Sequence, residues 1–233
     1  MGSNMNLRNV NWTSAFLASA LLAAGSLPAA AAVLWNQPYD GLGNLYASQN
    51  DTNGGGFGNF ATVYDNFTLT ASSNITQIDW TGGYFSPGTQ GPITQFTIQF
   101  YNAGLPGVPG TALGSPTVIA GTANETFLTN AQGFPIYTYS AATSFAATAG
   151  TEYWVSIVPD LGFPPQWGWA TGTGGDGLAY QSFFGTPGPV PSDMAFTLQG
   201  NSATTPEPVS FSLAGIGLGL VGLVSWKRRK HAA

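Results

Sequence analysis

Short segments in which apolar and polar residues alternate recur through the middle of this chain, and this period of two is the strongest constraint on its fold. In the segment ITQFTIQFY, Phe96, Ile98 and Phe100 alternate with Thr97 and Gln99. The segments YDNFTLT, NITQIDW, FPIYTYS, EYWVSIV and MAFTLQG have similar patterns. Such alternation, rich in β-branched and aromatic residues, is typical of half-buried strands. Because no segment before the C-terminal one shows a sustained helical period, we predict that the middle of the chain is all-β.

Segments rich in glycine and proline separate these predicted strands. SPGTQGP, NAGLPGVPG, GTGGDG and GTPGPVPSD all have the composition of turns. Many short strands at close spacing indicate an antiparallel sandwich or a barrel. We predict a jelly-roll-like antiparallel β-sandwich that forms a single domain over residues 33–203, since no internal repeat is visible in the sequence.

The first 32 residues have the three parts of a secretory signal peptide. Arg8 supplies a basic start, residues 15–27 are apolar, and Ala30–Ala32 form a small-residue cleavage site before Val33. We therefore predict that residues 1–32 form a signal-peptide helix that is removed on export. The alternative is a buried N-terminal helix, which the proline and the alanines directly after the apolar run disfavour.

An uncharged apolar segment lies close to the C-terminus, at residues 209–226. As a helix it would be about 27 Å long, which is enough to cross the hydrocarbon core of a bilayer. Basic residues beside a membrane helix stay on the cytoplasmic side. We therefore predict a single transmembrane helix with the body outside the inner membrane. Four of the five Lys and Arg residues follow it directly and act as a stop and orientation signal: Lys227, Arg228, Arg229 and Lys230.

A short motif precedes this helix and consists of Pro206, Glu207 and Pro208. Its prolines disfavour helix and hold the segment extended. Together with the apolar helix and the terminal basic cluster, it makes residues 204–233 resemble the PEP-CTERM sorting signal, found in exported proteins of Gram-negative bacteria, often those that make extracellular polysaccharide. The resemblance implies recognition by an exosortase-type membrane protease, cleavage near the motif, and transfer of the body to the cell surface or extracellular matrix. The alternative is an ordinary membrane anchor that is never cut.

The predicted body is acidic and has no basic side chain. Nine of the ten Asp and Glu residues lie between positions 33 and 205, whereas this range contains no Lys, Arg or His. Such a surface repels nucleic acid and anionic lipid, so we expect no nucleic-acid partner. The lack of imidazole and cysteine excludes Ser-His-Asp and Cys-His sites and nearly all zinc sites. The lack of lysine excludes Schiff-base chemistry.

The function expected from these features is non-catalytic. We expect an exported surface or matrix protein that is associated with extracellular polysaccharide. The second interpretation is a carbohydrate- or calcium-binding adhesion module. The third is a glycan hydrolase, since a pair of carboxylates can hydrolyse glycosides and the body contains Glu125 and Glu152, although no local motif ties either to a partner.

Two tryptophans and two Gly/Asp loops are the candidates for ligand binding. Trp167 and Trp169 would share one face of a strand, where they could stack on sugar rings beside Asp176; alternatively, they fill the core. Asp51 and Asn53 in NDTNGGG, and Asp176 in GGDG, offer oxygen ligands for Ca²⁺. The same residues are more typical of tight turns. We therefore expect no cofactor, and calcium binding is the alternative.

Overall fold

The computed structural model of the protein describes residues 31–202. Nearly all of the predicted signal peptide lies outside these residues, and so do the Pro206–Pro208 motif, the predicted helix 209–226 and the basic tail. The described residues form strands and connecting loops, and no helix long and apolar enough to cross a membrane occurs among them.

Fifteen strands make up the described part of the chain. In chain order they are β1 (Ala32–Gln37), β2 (Leu45–Ala47), β3 (Gln49–Asp51), β4 (Gly58–Thr68), β5 (Ser73–Phe85), β6 (Gln95–Ala103), β7 (Pro109–Ala120), β8 (Thr126–Ala131), β9 (Phe134–Ala147), β10 (Glu152–Leu161), β11 (Gln166–Gly172), β12 (Ala179–Phe183), β13 (Thr186–Val190), β14 (Asp193–Met194) and β15 (Phe196–Ser202).

The strands form two sheets. The first sheet has the order β1-β15-β5-β11-β14, with β9 also paired to β5, β8 paired to β9, and β2 paired to β11. The second sheet has the order β13-β12-β4-β3-β10-β6-β7, and β4 pairs directly with β10 as well. The all-β prediction is therefore confirmed for the described residues.

One pairing in the second sheet departs from the predicted antiparallel arrangement. Strand β3 runs parallel to β10, with Asn50 opposite Asp160. Strands β4 and β10 pair directly where Tyr64 lies opposite Ser156, and β3 pairs with the earlier part of β4. Because β3 is antiparallel to β4, and β4 is antiparallel to β10, β3 must run parallel to β10.

The hydrophobic core lies between the two sheets. Trp80 on β5 packs edge-on against Phe96 on β6, with ring centroids 5.0 Å apart. Phe96 also meets Trp167 on β11, at 5.6 Å. The inward positions expected from the alternation in β6, including Ile98 and Phe100, are all buried in this core. The two sheets thus form a sandwich-like body.

The segment GTPGPVPSD, predicted as a turn, contains a strand. Residues Thr186–Val190 form β13, which pairs only with β12 at one edge of the second sheet. An edge strand needs backbone donors on one side only, so prolines such as Pro187 and Pro189 are tolerated there. The prediction was wrong because composition does not distinguish an edge strand that contains proline from a loop.

Both ends of the described chain lie at the same end of the first sheet. Ala32, the first residue of β1, is opposite Gly200 on β15. Ser202, the last residue of β15, is opposite Ser73, the first residue of β5. Strand β15 therefore lies between two antiparallel neighbours and leads directly into the C-terminal segment.

Candidate functional site

A cleft of about 220 Å³ opens on the outer face of the second sheet. Along β10, Tyr153, Val155 and Ile157 belong to the core, so the alternate residues face outward and form the floor. Strands β3 and β4 supply one wall and β6 supplies the other. Nearly all of the lining side chains carry an amide, a hydroxyl or a carboxylate: Asn50, Asn59, Thr62, Tyr64, Thr97, Gln99, Tyr101, Ser156, Val158 and Asp160.

Two tyrosines close one end of this cleft. Tyr64 lies on β4 and Tyr101 on β6, the two strands that flank β10. Their ring centroids are 5.2 Å apart in an edge-to-face contact, so the side chains meet above β10. The Tyr101 hydroxyl lies 3.1 Å from the hydroxyl of Ser156 on the floor. The rings thus present aromatic surface beside hydrogen-bonding groups.

Several outward-facing side chains of this sheet are buried, although they lie outside the inter-sheet core. Ser156 is 2% exposed, and Gln99 and Val158 are each 8% exposed. An ordinary solvated sheet face leaves such positions open to water, so this face is concave. The concavity follows from the two tyrosines and from the walls on either side of β10.

Asp160 is the one carboxylate in the cleft, and amide groups hold it on both sides. Its Oδ1 accepts a hydrogen bond from Nδ2 of Asn50 at 2.9 Å, and its Oδ2 accepts one from Nε2 of Gln95 at 2.7 Å. These bonds fix the position of the carboxylate. Each oxygen keeps a further lone pair with which it can accept a hydrogen bond from a ligand.

The two tyrosine hydroxyls of the cleft are neutral at ordinary pH. Burial raises the pKa of Tyr101 above its usual value. Burial, and then the neighbouring Tyr101, raise the pKa of Tyr64 in the same direction. A neutral phenol both donates and accepts a hydrogen bond, which suits it to contact with a hydroxyl-bearing ligand.

The structure corrects the proposal that Trp167 and Trp169 bind glycan. Both side chains are 0% exposed. Trp167 donates from Nε1 to the hydroxyl of Tyr139 at 3.0 Å, and Trp169 donates from Nε1 to the carbonyl of Ala195 at 2.9 Å. The alternative interpretation, in which they fill the core, is the one the structure bears out, because the face that they share points between the sheets.

Asp51 and Asn53, the first calcium candidates, form a turn. The Asp51 carboxylate accepts hydrogen bonds from the backbone N–H groups of Asn53 at 3.0 Å, Phe57 at 2.8 Å and Phe163 at 3.0 Å. Burial favours the protonated form of this group, but the three donors outweigh burial and lower the pKa of Asp51 below its usual value. The carboxylate thus joins the loop after β3 to the loop after β10.

Asp176, the other calcium candidate, bonds to its own loop and to β4. Its Oδ1 accepts from the backbone N–H of Leu178 at 3.0 Å, and its Oδ2 accepts from Nδ2 of Asn66 at 2.9 Å. Asp176 is exposed, whereas the tryptophans predicted to act beside it are buried. Within residues 31–202 no three acidic side chains are placed to hold a metal ion together.

The two glutamates of the hydrolase alternative have separate surroundings. Oε1 of Glu125 accepts hydrogen bonds from the hydroxyls of Tyr84 at 2.6 Å and Tyr139 at 2.8 Å, both on the first sheet. Glu152 begins β10 on the second sheet and accepts from Nε1 of Trp154 at 3.0 Å. The structure therefore gives each glutamate structural partners of its own.

The residues of the cleft were not singled out from the sequence. Thr97, Gln99 and Tyr101 appear there as the polar side of an alternating strand, which is what any solvated face provides. The available signal was the kind of polar residue, because these outward positions carry amides, hydroxyls and tyrosine in place of Lys and Glu. That signal needs the neighbouring strands, and hence the fold, before it indicates a site.

Comparison with models of known protein families gives no match for this chain. Comparison with curated proteins finds no relative either.

Proposed function

We propose that this chain is a non-catalytic exported protein of the surface or extracellular matrix of a Gram-negative bacterium, associated with extracellular polysaccharide. The observation that supports this best is the cleft on the outer face of the second sheet, where amides, hydroxyls and two tyrosine rings line a concave surface. Ligand sites that hold polyhydroxylated molecules need many hydrogen-bonding groups beside apolar area.

The carboxylates support a non-catalytic role. Asp51 accepts three backbone hydrogen bonds, Asp160 is held by two amides, and Glu125 is held by two tyrosine hydroxyls. A glycosidase needs two carboxyl groups that face each other across the scissile bond. These three carboxylates serve separate structural networks, which fits a binding protein better than a glycosidase.

We propose that the C-terminal segment acts as a PEP-CTERM sorting signal. The last described strand ends at Ser202, four residues before Pro206. A motif this close to the folded body leaves little slack, so the predicted helix 209–226 would hold the motif at the membrane surface, within reach of an exosortase. We also propose a jelly-roll class for the sandwich-like body.

The sorting proposal is tested in the native host by fractionation and by intact mass. Two variants of the full chain separate the roles of the signal. Replacement of Pro206, Glu207 and Pro208 by alanine should leave the protein uncut in the inner membrane. Replacement of Lys227–Lys230 by neutral residues should weaken membrane retention and orientation.

Normal cleavage and surface delivery of the triple-alanine variant would overturn the sorting proposal, because the motif would then be a linker. The N-terminal prediction has its own readout in the same samples. The mature protein should begin at or near Val33, and a surface fraction that keeps Met1 or Met5 would contradict export through a cleaved signal peptide.

A further inference from the structure

We infer that the cleft between Tyr64, Tyr101 and Asp160 binds a neutral polysaccharide chain, with a sugar ring against the tyrosines and its hydroxyls bonded to the floor and walls. This inference rests on the proposed association with polysaccharide and adds the site and the ligand class. It depends on the shape of the cleft, on its chemistry and on the charge of the whole body.

The shape of the cleft fits a chain molecule. About 220 Å³ is less than the roughly 300–1,000 Å³ of pockets for drug-sized ligands, so the cleft has room for a short stretch of a ligand. It is an open trough, since Asn59 at its rim is exposed and Thr97 on its wall is half-buried. A polysaccharide can therefore place one sugar unit in the cleft while the rest of the ligand chain stays outside it.

The chemistry of the cleft matches a sugar. The Tyr64 and Tyr101 rings offer apolar surface at one end, where they stand above Ser156. At the other end, the fixed carboxylate of Asp160 can accept hydrogen bonds from ligand hydroxyls, beside the amide of Asn50. Sugars have a face of C–H groups and a rim of hydroxyls, so aromatic rings beside polar groups bind both parts.

The charge of the body selects a neutral chain. Between residues 33 and 205 there are nine carboxylates and no Lys, Arg or His, and one of the carboxylates lies in the cleft itself. A uronic-acid or sulfated chain would be repelled by these carboxylates, and no basic side chain of the body would offset the repulsion. Screening lengths are about 8 Å at physiological ionic strength, so repulsion acts fully within the cleft.

Affinity electrophoresis of the mature full-length protein tests this inference. The neutral probes are an α-glucan (dextran), a mixed-linkage β-glucan, a mannan and a galactan, and the acidic probes are alginate and polygalacturonate. We expect retardation by at least one neutral probe and none by the acidic probes at low salt. Tyr64→Ala and Tyr101→Ala should each weaken binding roughly tenfold, the scale expected for loss of one aromatic contact.

Two further variants keep the test informative. Asn59→Ala changes an exposed cleft residue with little risk to folding, and it should weaken binding several-fold. Phe127→Ala is the control, because Phe127 is an exposed aromatic residue (55% exposed) on β8 of the first sheet, and it should bind like wild type. Near-ultraviolet circular dichroism identifies any variant that has lost its fold.

Each adverse outcome has a distinct meaning. Neutral-probe binding that survives all three cleft variants would overturn the assigned site but leave the proposed function standing. Binding to the acidic probes alone would overturn the neutral ligand class. Retardation by no probe would overturn the inference as a whole, while surface delivery in the fractionation experiment would still decide the sorting part of the proposed function.

Discussion

The indole nitrogen of Trp167 donates a hydrogen bond to the hydroxyl of Tyr139, 3.0 Å away in the core. That hydroxyl donates in turn to Oε1 of Glu125 at 2.8 Å, and Tyr84 donates to the same oxygen at 2.6 Å. A polar chain therefore runs from the centre of the first sheet to a half-buried carboxylate. These bonds satisfy the indole N–H of Trp167 and the hydroxyl of Tyr139, and they give the hydroxyl of Tyr84 an acceptor in addition to the carbonyl of Gly91 at 3.2 Å.

Replacing Glu125 with alanine should destabilise the protein by about 1–3 kcal/mol, the cost of one unsatisfied buried group, because the Tyr139 hydroxyl loses its acceptor. The Tyr84 hydroxyl keeps the carbonyl of Gly91 at 3.2 Å. Urea unfolding followed by tryptophan fluorescence measures this loss. Glu125→Gln is the matched control and should cost less, since its amide oxygen still accepts from the tyrosines. Equal stability of the alanine variant and wild type would show that these hydrogen bonds contribute nothing to the free energy of unfolding.

Replacing Trp169 with alanine should cost about 3–5 kcal/mol, the usual range for a large aromatic residue removed from a core. The side chain is 0% exposed and packs against Phe196 with ring centroids 5.7 Å apart. Chemical denaturation is the measurement. Exposed Phe127 offers a matched position, where the same truncation should cost far less. A loss below about 1 kcal/mol at Trp169 would contradict the core assignment.

Asp51→Asn should destabilise the protein at neutral pH by about 1–3 kcal/mol, because an amide nitrogen would then face a backbone N–H donor. The folded-state pKa of Asp51 is lowered, so its contribution is present above the unfolded pKa of about 4 and is lost as the pH falls through the folded value. The difference in the free energy of unfolding between wild type and Asp51→Asn should therefore become smaller at acidic pH.

Unfolding free energies between neutral pH and pH 3 check this prediction for Asp51. The control is Asp79→Asn, because the donors to Asp79 are the side-chain amides of Gln77 and Gln199, which can rotate to present oxygen. A difference for Asp51→Asn that stays constant with pH would argue against its lowered pKa.

Asp65 should have the opposite pH dependence. It is 0% exposed, and burial raises its pKa well above the usual value despite backbone donors at Met194 and Asn66. The folded state therefore holds this proton to higher pH than the unfolded chain, so the contribution of Asp65 to stability falls as the pH rises from about 4 through the folded pKa. Asp65→Asn removes this dependence. The free energy of unfolding of the variant relative to that of wild type should therefore be higher at pH 8 than at pH 5.

Calcium should raise the melting temperature no more than magnesium does at the same ionic strength. The oxygens of Asp51 already accept three backbone hydrogen bonds, and those of Asp176 accept two further bonds. Monovalent salt should raise the melting temperature by a few degrees, because it screens repulsion among carboxylates that have no basic partner. Differential scanning fluorimetry measures both effects. A calcium-specific rise would restore the metal-site alternative.

The period-two pattern predicted the strands well where one face is buried. In β10, Tyr153, Val155 and Ile157 lie in the core as their alternation indicates. The pattern could not give the parallel contact of Asn50 with Asp160, because that pairing depends on where β4 and β10 separate. Register of this kind is set by strands distant in sequence.

The candidate site was less predictable than the fold. The spacing of Trp167 and Trp169 correctly placed them on one face, but spacing does not say which face is outward. Here both indoles lie on the inward side of the sheet. The proposed binding surface is formed by Tyr64 and Tyr101, which are 37 positions apart in the sequence and come together only across β10. Such a site arises from sheet order, which local patterns do not encode.

Strand β15 also determines how the body would respond to a mechanical load. It is hydrogen-bonded to β1 on one side and to β5 on the other, and it ends at Ser202, the last described residue before the proposed sorting segment. A pull on that end along the strand axis would load the bonds on both sides together in shear, and they would not peel apart one by one. If the body is tethered by its C-terminus as proposed, a tension directed along β15 would therefore meet the sheet in its most resistant direction.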